Sequence, residues 1–116
     1  PTLAEIAAVE APFDSDGISF FPVLSGKKQA AHPFLYWEFP SYGGQMAVRM
    51  GNWKALRLDI HAGDSEWALF DLAADPLETQ DLAAEHPEII REIETIVATE
   101  HVPAANSRWR YPALGE

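Results

Sequence analysis

The sequence predicts an α+β fold in which one C-terminal helix packs a small antiparallel sheet of about four strands, with a short N-terminal helix beside it. Two observations predict this fold. Four short apolar and aromatic segments follow one another between turn residues, at residues 34–39, 45–50, 53–60 and 66–72. After them comes a single apolar stripe at helical spacing, formed by Ile89, Ile90, Ile93, Ile96 and Val97.

The composition is that of a globular chain whose charge disfavours polyanions as partners. The 116 residues suit one domain over 1–116, and residues 103–116 read as an irregular tail. The 18 acidic and 8 basic residues give a net charge of -10, which disfavours nucleic acid and anionic membrane surfaces as partners. The chain has 0 cysteines, so it contains no disulfide, thiolate zinc site or cysteine nucleophile.

The first third of the chain is predicted to hold one helix. Over residues 2–9, Leu3, Ile6 and Ala7 share one face, and the Thr2-x-x-Glu5 spacing matches a capping box. A turn is predicted at residues 14–17, before an apolar stretch at 18–24. Because the chain opens directly on helix-like residues, we expect it to be part of a longer protein.

The second and third strands are predicted to form a hairpin. The two-residue link Gly51-Asn52 favours a type II′ turn, which takes glycine first. This turn would place Arg49 opposite Lys54 on the same face, an arrangement that is unfavourable without an anion nearby. A carboxylate of the chain is favoured over a bound sulfate or phosphate.

The predicted helix over residues 87–101 begins at Pro87, where proline is tolerated, and Glu88 complements the helix dipole. His86 then lies at the helix entry and His101 at its exit. One helix covers only one face of a sheet. The aromatic surface exceeds what that helix can cover, so we expect an apolar face that serves as an interface; its contributors are Trp37, Trp53, Trp67, Phe20 and Phe21.

No catalytic or metal-binding residue is predicted within the chain. Four acidic residues between strand and helix could bind a hard cation, but their spacing is not that of a calcium loop, and Asp75-Pro76 is a common turn start. The joint between strand and helix is therefore favoured over a metal site for Asp71, Asp75, Glu78 and Asp81. The histidines likewise show no metal-binding spacing.

Two loops are candidates for substrate binding. Paired glycines let a backbone approach a ligand closely, although they serve equally well in a plain connection. The first loop contains Tyr42, Gly43, Gly44 and Gln45, and the second contains His61.

Several segments resemble, in order, the C-terminal subdomain of sulfatases of the arylsulfatase-like, alkaline-phosphatase-like superfamily. Each is short, but their order and spacing cover most of residues 1 to 102 and make the match specific. The departure at Asp81, where the family usually has asparagine, is conservative for a turn. The segments are PTLAEIA (1–7), DGISF (16–20), LSG (24–26), LYWEF (35–39), AVRMGNWK (47–54), LFDL (69–72), DPLE (75–78) and DLA (81–83).

The resemblance implies a parent enzyme that hydrolyses sulfate esters. In this family the nucleophile is a formylglycine made within a C/S-x-P-x-R motif, and Asp and Asn side chains hold a calcium ion. The C/S-x-P-x-R motif does not occur here, and no calcium ligand of the family can be matched to a residue of this chain. The nucleophile and the calcium site are therefore expected on a missing N-terminal domain, and this chain alone is expected to hydrolyse nothing. Its implied role is to complete the fold and help wall the pocket for a sulfated small molecule or carbohydrate. Periplasmic or extracellular location is implied by the family alone.

Two other interpretations remain open. The chain could be a stand-alone binding or assembly module that self-associates through its uncovered sheet face. It could also be the tail of a related phosphodiesterase or phosphonate hydrolase. An upstream reading frame with C/S-x-P-x-R would favour the sulfatase.

Overall fold

The structure, a computed structural model, describes residues 1–10, 16–63 and 65–116. It divides into two compact units, residues 1–33 and 34–116. That the whole chain forms one domain stays a prediction. In the described part, no helix has the length and apolar character needed to cross a membrane. The helices and strands are α1 (Thr2–Ile6), α2 (Phe21–Leu24), β1 (Leu35–Phe39), β2 (Gln45–Met50), β3 (Trp53–Arg57), β4 (Trp67–Asp71) and α3 (Pro87–Glu100).

The strands form an antiparallel meander in the order β1-β2-β3-β4, which confirms the predicted α+β fold. The register places Met50 opposite Trp53 and Arg49 opposite Lys54, as predicted for a two-residue link. Gly51 has a φ of 58°, and Asn52 does not have a positive φ. Positive φ at the first position alone is what a type II′ turn requires.

The main core lies between the sheet and α3. Val48, Ala55 and Leu69, one from each of three neighbouring strands, are fully buried against Ile93 of the helix. The other residues of the predicted stripe pack around this core; they are Ile89, Ile90, Ile96 and Val97. Since one helix turn repeats every 3.6 residues, this spacing keeps the stripe on the sheet.

Strand β3 ends at Arg57, whereas the sequence pattern predicted a strand through residue 60. Asp59 adopts a left-handed conformation with a φ of 55°, and Ile60–Ala62 forms a 3-10 turn. The turn buries Ile60 in a second, smaller core with Met46 and Tyr111. Tertiary burial of one isoleucine therefore overrides the local strand preference.

In residues 1–33, α1 ends at Ile6 rather than Val9, and the predicted capping box is wrong. Pro1 is the N-cap, so Thr2 is already helical; its Oγ1 accepts a hydrogen bond from the Phe20 amide at 3.1 Å. A residue inside the first turn does not occupy the N-cap position, and no side chain caps this helix. Residues 14 and 15 of the predicted turn lie outside the described residues.

The sheet face opposite α3 has an open apolar patch, beside which the same face presents Gln45, Arg49 and Lys54. On it, Trp37, Phe39 and Leu58 are 49%, 50% and 48% exposed. With Ala47 and Leu56 they line a shallow groove of about 220 Å³. Of the tryptophans in the sheet, Trp53 and Trp67 instead pack against the main core. We call this surface the open sheet face.

Candidate functional site

The two loops predicted to bind substrate lie side by side. The His61 amide donates to the Gly43 carbonyl at 2.9 Å, and the Ile60 amide donates to the Gly44 carbonyl at 3.1 Å. These bonds join residues 40–45 to residues 59–63, which we call the paired loops. The structure therefore brings together candidates that are far apart in sequence, while their role in binding stays a prediction.

The paired glycines are explained by contacts within the chain. Gly43 and Gly44 have φ angles of 85° and 79°. A Cβ on Gly43 would lie 2.4 Å from Asp59 Oδ1, and one on Gly44 would lie 2.9 Å from Tyr111 Cε1. A side chain at either position would clash with these neighbours, so the close approach that the glycines permit is that of the second loop and the tail.

Tyr42 and Phe39 form an aromatic platform at the edge of the paired loops. Tyr42 is 83% exposed, and its backbone is held at a φ of 53°, which is uncommon for a bulky residue. Its ring stacks on Phe39 with 6.0 Å between centroids and 29° between planes. This arrangement leaves the Tyr42 side chain available to pack against a ligand.

His61 is held from both sides and is less free than an ordinary loop histidine. Its Nε2 lies 3.0 Å from the Pro40 carbonyl oxygen, and its ring stacks on Tyr111 with 5.4 Å between centroids. Gln45 is the first residue of β2, and its carbonyl accepts a hydrogen bond from the Tyr111 hydroxyl at 3.2 Å. Tyr111 therefore packs beneath both loops.

The sequence did not point to Tyr111 or Asp59 as parts of this site. The tail holds two 3-10 turns, Ser107–Trp109 and Pro112–Leu114, and between them Tyr111 is 1% exposed. Without helix or strand periodicity, the only available signal was a large aromatic side chain, which folding tends to bury.

A second polar cluster surrounds His101 at the end of α3. Its Nδ1 lies 2.6 Å from Glu38 Oε1, and its Nε2 lies 2.6 Å from Glu116 Oε1. The Tyr36 hydroxyl also donates to Glu38 Oε1. Burial lowers the pKa of His101, but the two carboxylates outweigh burial, so the pKa is raised above its usual value. The helix-exit position was predicted, whereas the ion pairs were not.

The acidic stretch is a structural joint, as predicted. Asp75 accepts hydrogen bonds from the amides of Thr79 and Gln80 at 2.6 and 2.8 Å, and these bonds lower the pKa of Asp75. Asp71 accepts from the Ala73 amide at 3.0 Å. Each carboxylate accepts from nearby backbone amides, which is the chemistry of a turn.

Glu78 supplies the anion expected beside the hairpin. Its Oε1 lies 2.5 Å from Lys54 Nζ, so an internal carboxylate neutralises one of the two facing cations. Arg49, opposite Lys54, is exposed and has no ion pair within the described ranges. Water therefore solvates the second charge.

The described residues contain no cluster of side chains arranged to hold a metal ion, and the role of the paired loops in binding stays a prediction. Residues 1–10, 16–63 and 65–116 contain no group of three or more His, Asp or Glu side chains arranged to hold an ion. The paired loops present aromatic faces, backbone groups and one imidazole. Such groups position a ligand by packing and hydrogen bonding.

The family model described as "N-sulphoglucosamine sulphohydrolase, C-terminal" matches residues 1–101. The chain belongs to this sulfatase family. The match confirms the resemblance drawn from the short segments, and the acidic joint and the hairpin are thus features of a sulfatase C-terminal domain.

Individual relatives agree with this assignment. The sulfatase chain is 37% identical to choline-sulfatase of Rhizobium meliloti over 72% of its own length and 16% of that protein. A sulfatase-like structure from Bacteroides thetaiotaomicron superposes with a TM-score of 0.70 at 25% identity, over 97% of this chain and 29% of that one. A further structure, solved with its substrate D-glucosamine-2-N,6-O-disulfate, has a TM-score of 0.67 at 24% identity over 85% of this chain and 22% of that one, and shares the fold.

The chain spans only a small part of these proteins: 16% of the choline-sulfatase, and 29% and 22% of the two solved chains. The activity and substrates of a whole sulfatase therefore reach this chain only as proposals.

Proposed function

We propose that this chain is the C-terminal domain of a hydrolase of sulfate esters, in which it completes the fold and forms part of the wall of the substrate pocket. One observation carries the proposal: the sulfatase C-terminal family model matches residues 1–101. The formylglycine nucleophile and the calcium ion would belong to the catalytic domain of the parent protein. The chain alone is expected to turn over no sulfate ester.

The open sheet face supports docking onto that catalytic domain. Its three large side chains, Trp37, Phe39 and Leu58, are each about half exposed to water. Burial of a large apolar side chain contributes about 1.5–3 kcal/mol. Covering this face with the preceding domain would remove it from water, and self-association through the same face is the alternative outcome.

The paired loops support the role in the pocket wall. The Tyr42 ring, which is 83% exposed and stacks on Phe39, offers a flat apolar surface for a sugar ring, and the backbone at Gly43 is exposed beside it. The chain carries a net charge of -10, so cationic groups that hold the sulfate would come from the catalytic domain.

A sulfated amino sugar is the substrate class that we favour. The description of the matching family names N-sulphoglucosamine, and one structure of the same fold was solved with a glucosamine disulfate. Choline sulfate is the second candidate, because a choline-sulfatase is a relative and an aromatic ring binds a quaternary ammonium by cation–π attraction.

Steady-state kinetics of the parent protein test this proposal. We expect turnover of N-sulfated glucosamine, and Tyr42→Ala should raise KM about tenfold while changing kcat little, since lost packing removes binding equally from ground and transition states. Leu77→Ala is the control, because this side chain is also exposed but lies in the connection before α3. Hydrolysis of phosphodiesters without hydrolysis of sulfates would contradict the proposal, and a preference for choline sulfate would replace the sugar.

A further inference from the structure

We propose that His101 is a proton-controlled clasp: its imidazolium, held between Glu38 and Glu116, fixes residues 107–116 against the sheet, and its deprotonation releases them. The two ring nitrogens lie 2.6 Å from the two carboxylates, Nδ1 from Glu38 Oε1 and Nε2 from Glu116 Oε1. One ring thus joins the end of α3, strand β1 and the tail. The clasp does not depend on which substrate the parent protein takes.

The buried carboxylate of Glu116 is what requires a positive charge on His101. The side chains of His101 and Glu116 are 14% and 5% exposed. Glu116 Oε1 accepts a hydrogen bond from the Tyr111 amide at 3.3 Å, whereas Glu116 Oε2 and His101 Nε2 have no hydrogen-bond partner in the part of the chain that the structure describes, so the ring holds Glu116 as an ion pair. A buried carboxylate without a counter-charge is costly. If the imidazole is neutral, Glu116 loses its cation, and exposure of the tail to water becomes the favourable alternative.

His101 is the group of this cluster that changes charge near neutral pH. Burial raises the pKa of Tyr36 and of Tyr111; the hydrogen bond to Glu38 raises that of Tyr36 further, and the charge of Glu38 raises that of Tyr111, so both phenols stay neutral below about pH 10. Arg57 and Glu94 line the cleft next to His101 and add one charge of each sign.

Release of the tail would reach the paired loops through Tyr111. Its ring lies against Gly44 and stacks on His61, and its hydroxyl donates to the Gln45 carbonyl. A tail that leaves the sheet takes this ring with it. Proton binding at His101 is therefore coupled to the order of residues 40–45 and 59–63.

The direction of the pH effect follows from the pKa of His101, which the two carboxylates raise in the folded state. The clasp is fully formed below about pH 6.5, the value of an unperturbed histidine, and is lost as pH rises through the folded pKa. For each unit by which the folded pKa exceeds that value, deprotonation weakens the attachment of the tail about tenfold.

Trypsin cleavage of the parent protein measures the release. Arg108 and Arg110 are exposed in the tail, but Tyr111, the residue after Arg110, is 1% exposed, so cleavage of the bond between Arg110 and Tyr111 requires local opening. We expect the rate, normalised to a free peptide of residues 103–116, to be constant at low pH and to rise through the imidazole pKa measured by NMR. Across this pH range the normalised cleavage rate should increase in total about tenfold for each unit by which the measured pKa exceeds 6.5. A rate that does not change between about pH 6 and 9 overturns the proposal.

Two variants and one control separate the clasp from general loosening. Glu116→Gln should lower the imidazole pKa and reduce the pH dependence of cleavage, because one carboxylate is neutralised. His101→Gln should give fast cleavage at every pH. Glu92→Gln, the same change on the exposed side of α3, should leave both readouts as in the unmodified protein. If Glu116→Gln behaves like Glu92→Gln, the proposal is wrong, even where His101→Gln fails to fold.

Discussion

Gly44 is the residue on which the paired loops depend most directly. It has a positive φ and lies where the first loop, His61 and Tyr111 meet. The sequence predicted that the glycine pair permits close approach, but it could not identify what approaches. Tyr111 lies 67 positions further along, and no local pattern records that distance.

Replacement of Gly44 tests this packing. Gly44→Ala combines left-handed strain of about 1–2 kcal/mol with a Cβ 2.9 Å from Tyr111 Cε1 and 3.1 Å from His61 Cδ2. Gly51→Ala carries similar strain with no atom within 4 Å. In urea denaturation, we expect Gly44→Ala to lower the free energy of unfolding by about 1–3 kcal/mol more than Gly51→Ala. Equal losses would mean that the contact with Tyr111 is unimportant.

Individual side chains differ in how far the sequence reveals their role. The turn chemistry of Asp75 is local, because its partners lie four and five residues away, and it was predicted correctly. The ion pairs of His101 join residues 63 and 15 positions away and were missed. Alternation along β1 does place Glu38 on the same face as Tyr36, and an inward-facing glutamate signals a buried partner.

At the scale of elements, the joint between β4 and α3 covers a sheet edge. Asp81 Oδ1 accepts hydrogen bonds from the amides of Leu69 and Ala83, both at 2.9 Å, while the Leu82 amide donates to the Leu69 carbonyl at 2.8 Å. Residues 81–82 thus bond to the outer edge of β4. Since an unpaired edge invites association with other chains, this joint protects the strand as well as turning the chain.

Asp81 therefore offers a test of that joint. Asp81→Ala removes the acceptor of two backbone amides, and we expect it to lower the free energy of unfolding by about 1–3 kcal/mol. Asp81→Asn keeps a carbonyl oxygen at the same place, so its effect should stay below about 0.5 kcal/mol. Chemical denaturation of both variants checks the prediction, which fails if asparagine destabilises the protein as much as alanine.

The elements were predicted well where their periodicity is strong. β2 has the predicted bounds, and α3 ends one residue earlier than predicted because His101 is its C-cap. Errors occurred where a distant contact decides the conformation. Ile60 leaves the strand pattern to join Met46 and Tyr111, and Thr2 bonds to Phe20 instead of capping its own helix.

At the scale of the whole molecule, the open sheet face is the feature that a larger protein would explain. The sequence predicted it from an excess of aromatic surface, and the structure places Trp37, Phe39 and Leu58 there. Trp53 and Trp67 were counted toward the same excess but pack against the main core. Composition alone could not assign each tryptophan to a face, because that depends on the register of the strands.

Hydroxyl-radical oxidation of the native parent protein, normalised to the same protein unfolded, is the measurement that tests our account most directly. Trp37 is 49% exposed in this chain, so about half of the unfolded oxidation rate is expected if nothing else covers it. If the catalytic domain docks on the open sheet face, oxidation of Trp37 should fall to about a tenth of the unfolded rate or less. A Trp37 rate near half of the unfolded value in the active parent protein would contradict the account.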